Sequence, residues 1–264
     1  MNFYDKYMEI TRQNNSYVCV GLDSDISKLP ACVKNENNPS LVFNQKIIDE
    51  TYKYVACFKP NFAFYLSDGI KGIETLKSTI DYIPKNIPVI IDIKAGDIGN
   101  TMEHYGSAVF NYFNADAMTI NILMGSDVID ACLKIEDSYC FALAITSNSS
   151  AKEYFYKDEL YKDIARKIEN IGEKKLGAVV GATRVEELAV MRDIMPKTIF
   201  LIPGIGAQGG DLQSVCKHAL YKPDDARILV NSSRGIIFAD NTDNFAKIAG
   251  KETRELKEKI NNEI

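Results

Sequence analysis

The sequence predicts a single (β/α)₈ barrel of the TIM type spanning residues 1–264, with an extra helix at its N-terminus. Three observations lead there. Eight short apolar runs rich in Val, Ile, Phe and Ala recur along the chain, stretches of helical periodicity separate most of them, and no linker, low-complexity segment or short-period repeat divides the 264 residues. Near-continuous apolar strands alternating with helices imply a parallel sheet covered on both faces. Eight such units in about 250 residues are what one closed barrel requires.

In chain order, the first fifteen residues read as a helix that closes the bottom of the barrel. The strand candidates follow as "YVCVGL" (17–22), "YVACFK" (54–59), "PVIIDIK" (88–94), "AMTIN" (117–121), "CFALAI" (140–145), "GAVVG" (177–181), "IFLIPG" (199–204) and "RILVN" (227–231). Between them lie amphipathic candidates such as 72–83, 158–172 and 184–195. An open doubly wound sheet is the competing arrangement, but the turn after the first run, "VGLDSD", lacks the GxGxxG that would seat a pyrophosphate on a helix terminus.

Composition narrows the function. A formal charge of −5 with no block of Lys or Arg argues against nucleic acid or an anionic membrane as the main partner, so any anion must be bound locally. Asp5, Lys6 and Glu9 interrupt the N-terminal stretch where a signal peptide needs an apolar core, and no run approaches the ~18 apolar residues of a membrane span, so a cytoplasmic protein is expected. Six cysteines, at 19, 32, 57, 132, 140 and 216, are scattered without CxxC spacing and read as small core residues in a reducing compartment. With His104 and His218 as the only histidines, neither a His-rich metal site nor a Ser-His-Asp triad is expected.

In a barrel of this kind chemistry sits where strands end and βα loops begin. Six of the eight predicted ends are polar: Asp23; Lys59, Pro60 and Asn61; Asp92, Lys94 and then Asp97; Thr146, Ser147 and Asn148; "PGIGAQGGD" (203–211); and "NSSRGI" (231–236). Strand alternation predicts that Asp92 and Lys94 point the same way, into the barrel mouth. Charges that begin inside an apolar strand are costly unless they satisfy one another, which leaves a functional ion set or a structural salt bridge as the two readings. The last two loops, one with four glycines and one with small residues and Arg234, fall where barrels commonly grip a phosphate through backbone N–H groups and a guanidinium. Gln208, flanked by glycines, fits a loop that closes over a ligand.

These residues resemble the orotidine 5′-phosphate decarboxylase family, whose hallmark Asp-x-Lys-x-x-Asp-Ile is here "DIKAGDI" (92–98). "VGLD", "FKPNFAF", "DIGNT", "TSNS", "PGIGAQGGD" and "NSSRGI" resemble family segments in the same order, most like its longer bacterial branch. The resemblance implies cofactor- and metal-free decarboxylation of orotidine 5′-monophosphate to UMP in pyrimidine biosynthesis. It implies an alternating charge array of Lys59, Asp92, Lys94 and Asp97, with Lys94 stabilising a C6 carbanion and then donating the proton. It also implies ribose contacts from Asp23 and Lys59, a pyrimidine contact from Ser147, phosphate contacts from Gln208 and Arg234, further substrate contacts from Pro203 and Ser233, and a homodimer in which Asp97 and Thr101 reach the neighbouring site. Ser24, Ala95 and Ser149 depart from residues common in the family, which bears on loop conformation rather than on the charge set.

Three rival readings fit the same sequence features. A magnesium-dependent phosphosugar barrel, such as a keto-gulonate-phosphate decarboxylase or hexulose-phosphate synthase, carries a similar signature. A Schiff-base aldolase fits less well, because a lysine between two carboxylates is a poor nucleophile. A non-catalytic sensor of phosphorylated metabolites would bind nucleotide without turnover.

Overall fold

The structure, a computed structural model, describes residues 1–181, 185–205, 211–222 and 225–264. Eight strands are present: β1 (Val18–Gly21), β2 (Cys57–Lys59), β3 (Ile90–Ala95), β4 (Ala117–Ile120), β5 (Cys140–Ile145), β6 (Leu176–Val180), β7 (Phe200–Pro203) and β8 (Ile228–Ser232). All neighbouring pairs are parallel, in the order β2-β1-β8-β7-β6-β5-β4-β3. The two ends of that order meet through bridges Phe58↔Val89 and Asn61↔Asp92, where the Asp92 N–H donates to Pro60 O at 2.9 Å. The sheet therefore closes on itself, as the runs of apolar residues predict.

The helices are α1 (Phe3–Asn14), α2 (Ala31–Lys34), α3 (Pro39–Thr51), α4 (Phe62–Leu66), α5 (Gly69–Tyr82), α6 (Gly99–Ser107), α7 (Asp127–Leu133), α8 (Leu160–Ile171), α9 (Val185–Ile194), α10 (Leu212–Ala219), α11 (Arg234–Ile237) and α12 (Phe245–Asn262). Helix α5 stops one residue before its predicted end, because Pro84 drives Ile83 into extended backbone (ψ 134°). Helix α8 starts two residues late, since Asp158 and Glu159 adopt left-handed φ values of 50° and 57°. The second predicted strand is shortened to three residues: Tyr52–Tyr54 forms a 3₁₀ turn, and the ladder with β1 starts from the Ala56 N–H, which donates to Val18 O at 2.7 Å. No helix among the described residues is long and apolar enough to cross a membrane.

Helix α1 covers the N-terminal ends of the strands. Phe3 stacks on Tyr139 (centroids 4.9 Å) and meets Phe141 edge-on (5.2 Å), while the Tyr7 hydroxyl donates to Ile228 O at 3.1 Å. Arg192 of α9 ties the same end together. Its guanidinium donates to the carbonyls of Ala219, Met195, Pro196, Thr198 and Arg227 at 2.7–3.1 Å and lies 3.7 Å over the Phe200 ring. Burial pushes its pKa down to about 9, so it remains charged at neutral pH. Arg192→Met keeps the stem but strands five carbonyls, and each buried acceptor left unmade costs about 1–3 kcal/mol. The variant is expected to lose at least about 3 kcal/mol in urea unfolding; a loss below about 1 kcal/mol would mean that water replaces the guanidinium.

Candidate active site

At the opposite end, the carboxyl ends of the strands surround a cavity of about 530 Å³. Of the residues predicted for the site, Asp23, Lys59, Asp92, Lys94, Ser147, Pro203, Ser233 and Arg234 all line it. Asp97 and Thr101 do not; they sit at the surface at and just before the start of α6. Gln208 lies outside the described residues.

Three charges meet on one carboxylate at the junction of β2 and β3. Lys59 Nζ donates to Asp92 Oδ2 at 3.1 Å and Lys94 Nζ donates to Asp92 Oδ1 at 2.6 Å. The side chains of Lys59 and Asp92 are 6% and 11% exposed, whereas that of Lys94 is 47% exposed, so the array runs from the barrel interior out into the cavity. Burial opposes the charge on Lys59, but Asp92 and then Asp23 outweigh it and hold its pKa above the ordinary lysine value. Burial likewise opposes the Asp92 carboxylate, and the two ammonium groups outweigh it, holding the acid well below the usual carboxylate range. Asp97 stands apart from this cluster within the chain, its Oδ1 accepting from the Ile98 N–H at 2.8 Å.

Simple alternation along the strand is not what brings Asp92 and Lys94 together. The β3/β4 register pairs Ile91 with Met118 and then Ala95 with Ile120, so three residues of β3 stand opposite one residue of β4, Thr119. Lys94 takes a left-handed φ of 51° inside this bulge, a conformation costing a non-glycine residue about 1–2 kcal/mol. The shared direction predicted for the two side chains holds, but it is produced by a break in the strand.

Thr119 is the functional-site residue that reading strand ends passes over. Its Oγ1 donates to Asp92 Oδ1 at 2.8 Å and accepts from the Lys94 N–H at 2.9 Å. The available signal is a single hydroxyl within the apolar run "AMTIN".

The remaining walls combine apolar side chains from Phe64, Leu143, Val179, Leu201 and Phe238 with polar groups from the β1, β5, β7 and β8 loops. Two close approaches set those loops. A Cβ on Gly21 would lie 2.7 Å from the Ser233 Cβ, and one on Gly181 would lie 2.7 Å from the Ser147 N. Asp23 Oδ1 and Ser233 Oγ are buried without a hydrogen-bond partner, an arrangement suited to a polar ligand that supplies one. Arg234 lines the cavity, is exposed, and has no carboxylate partner among the described residues. Among those residues no three His, Cys, Asp or Glu side chains gather as a metal-ligand set.

The profile of the "Orotidine 5'-phosphate decarboxylase / HUMPS family" matches residues 16–248. The chain is 39% identical to the orotidine 5′-phosphate decarboxylase of Christiangramia forsetii, with 97% of each protein covered, and 38% identical to that of Halorubrum lacusprofundi, with 99% of each covered. It is similar to the solved structure of Leishmania donovani OMP decarboxylase (TM-score 0.83, 32% identity, 100% of this chain and 98% of that one). It is also similar to Leishmania donovani UMP synthase (TM-score 0.85, 34% identity), of which it spans 56% while 99% of this chain is covered. On the match across nearly its whole length, the chain belongs to the orotidine 5′-phosphate decarboxylase / HUMPS family.

Proposed function

We propose that this chain decarboxylates orotidine 5′-monophosphate to UMP without a cofactor, in the cytoplasm, as one barrel domain over residues 1–264. The observation that carries this reading is Asp92, a buried carboxylate shared by Lys59 and Lys94, with the Lys94 ammonium reaching into the cavity. As the bond between C6 and the carboxylate breaks, its electron pair stays on C6 and CO₂ departs. Lys94 stabilises that developing charge and then transfers a proton to C6. Asp23 and Lys59 hold the ribose, Ser147 the pyrimidine edge, and Gln208 and Arg234 the phosphate, with Pro203 and Ser233 as further substrate contacts.

Repulsion between Asp92 and the substrate carboxylate contributes little. Two charges about 4 Å apart at an effective dielectric near 20 interact by about 4 kcal/mol, against the ~23 kcal/mol that a 10¹⁷-fold acceleration needs. The larger share falls to preorganised stabilisation of the carbanion and to binding energy from the phosphate.

The proposed catalytic unit is a homodimer in which Asp97 and Thr101 complete the neighbouring site. Two features support it: neither residue lines its own chain's cavity, and Ile98, Leu123 and Met124 expose large apolar side chains on this end of the molecule.

A second reading, a magnesium-dependent phosphosugar enzyme, is favoured only by the breadth of the matched family. Purified protein given orotidine 5′-monophosphate in excess EDTA is expected to change the ultraviolet absorbance from orotate to uracil. Turnover that requires added magnesium supports the second reading, and nucleotide binding without any spectral change supports a sensor.

A further inference from the structure

We infer that Thr119 is a positioning residue for the reaction proposed above, its hydroxyl holding the Asp92 carboxylate and the bulged Lys94 backbone in the arrangement that aims the ammonium into the cavity. The inference rests on the decarboxylase reading for its kinetic consequence and on geometry alone for the clamp itself.

Backbone N–H groups two residues apart in a regular strand face the same neighbour, so with the Asp92 N–H directed to Pro60 O the Lys94 N–H would also face the β2 side. The bulge, three residues against one, turns it toward β4 instead, where Thr119 Oγ1 accepts from it at 2.9 Å. Because the amide can only donate, the hydroxyl must accept there and direct its own proton elsewhere. The acceptor is Asp92 Oδ1 at 2.8 Å, which also receives Lys94 Nζ at 2.6 Å. One hydroxyl thus closes a ring running from the Lys94 amide through Thr119 and Asp92 to the Lys94 ammonium.

A packing role would not ask for this residue. Thr119 is 1% exposed between fully buried Met118 and Ile120, a place where valine fills the same volume without a polar group to satisfy. With the hydroxyl gone, the Lys94 N–H has no partner, the left-handed conformation loses its restraint, and Oδ1 keeps only the lysine it is meant to orient.

The test compares wild type with Thr119→Val and Thr119→Ser. Per UMP-binding site, valine is expected to lower kcat about 10- to 100-fold while the Kd for UMP changes less than about threefold, and serine is expected to restore most of the loss. Counting sites by UMP titration removes any fraction that fails to fold. Hydrogen exchange gives a readout free of turnover: the Lys94 amide is expected to be protected in wild type and serine variant and unprotected in the valine variant. A rapidly exchanging Lys94 amide in the wild-type protein overturns the clamp without any variant, and so does a valine variant with unchanged kcat. Wild type that leaves orotidine 5′-monophosphate intact, yet shows the exchange pattern, removes the decarboxylase reading while the clamp stands.

Discussion

Lys94→Ala is expected to lower kcat on orotidine 5′-monophosphate by at least about 10⁴-fold while changing the Kd for UMP by less than about tenfold. On the proposed mechanism two roles vanish together. Electrostatic stabilisation by one preorganised donor is worth about 10²–10³ and a positioned proton donor about 10²–10⁴, and the two overlap because both act on C6. UMP already carries hydrogen at C6 and no charge there, so it makes little use of the ammonium, and the loss falls on kcat. The fold should survive, because Lys94 is half-exposed and Asp92 retains Lys59 and Thr119 as donors. Single-turnover absorbance decay and equilibrium UMP titration measure the two quantities. A kcat within about 100-fold of wild type would move the chemistry to another group, and Lys59, 3.1 Å from the same carboxylate, would be the next candidate.

The parts of the molecule that follow from one-dimensional pattern were legible in the sequence, and those that depend on neighbours across space were not. The run "CFALAI" became β5 with both ends as predicted, since a strand buried on both faces is apolar throughout. Asp92 and Lys94 stood out because charge inside such a run is costly, but the reason they converge, a bulge opposite Thr119, leaves no mark in the spacing of β3 itself. A threonine in a strand is ordinary on sequence grounds, and only the β3/β4 register gives its hydroxyl two partners. The place of Asp97 and Thr101 outside the cavity follows from the family resemblance alone, because alternation and spacing describe one strand or helix and not which wall its ends face. Backbone left-handedness at Asp158 and Glu159, which delays α8, likewise falls on residues with no glycine to signal it.

Arg234→Ala is expected to reduce kcat/KM on orotidine 5′-monophosphate by about 10²-fold, although the residue meets no reacting atom in the proposed geometry. Arg234 opens α11 after β8, and around the closed barrel β1 and β2 separate β8 from the strand that carries Asp92 and Lys94. Its lack of a carboxylate partner among the described residues leaves the guanidinium available for a dianion, and hydrogen bonds to charged groups contribute about 1.5–3 kcal/mol each. If that binding energy is used to hold the pyrimidine against Lys94, losing it lowers the rate of the chemical step as well as occupancy. The decisive comparison uses orotidine, the same substrate without its phosphate. With orotidine, wild type and Arg234→Ala should have the same kcat/KM within about twofold, because the side chain has nothing left to grip. An equal loss on both substrates would assign Arg234 to the shape of the β8 loop, where Ser233 packs against Gly21, and would separate phosphate recognition from this end of the barrel.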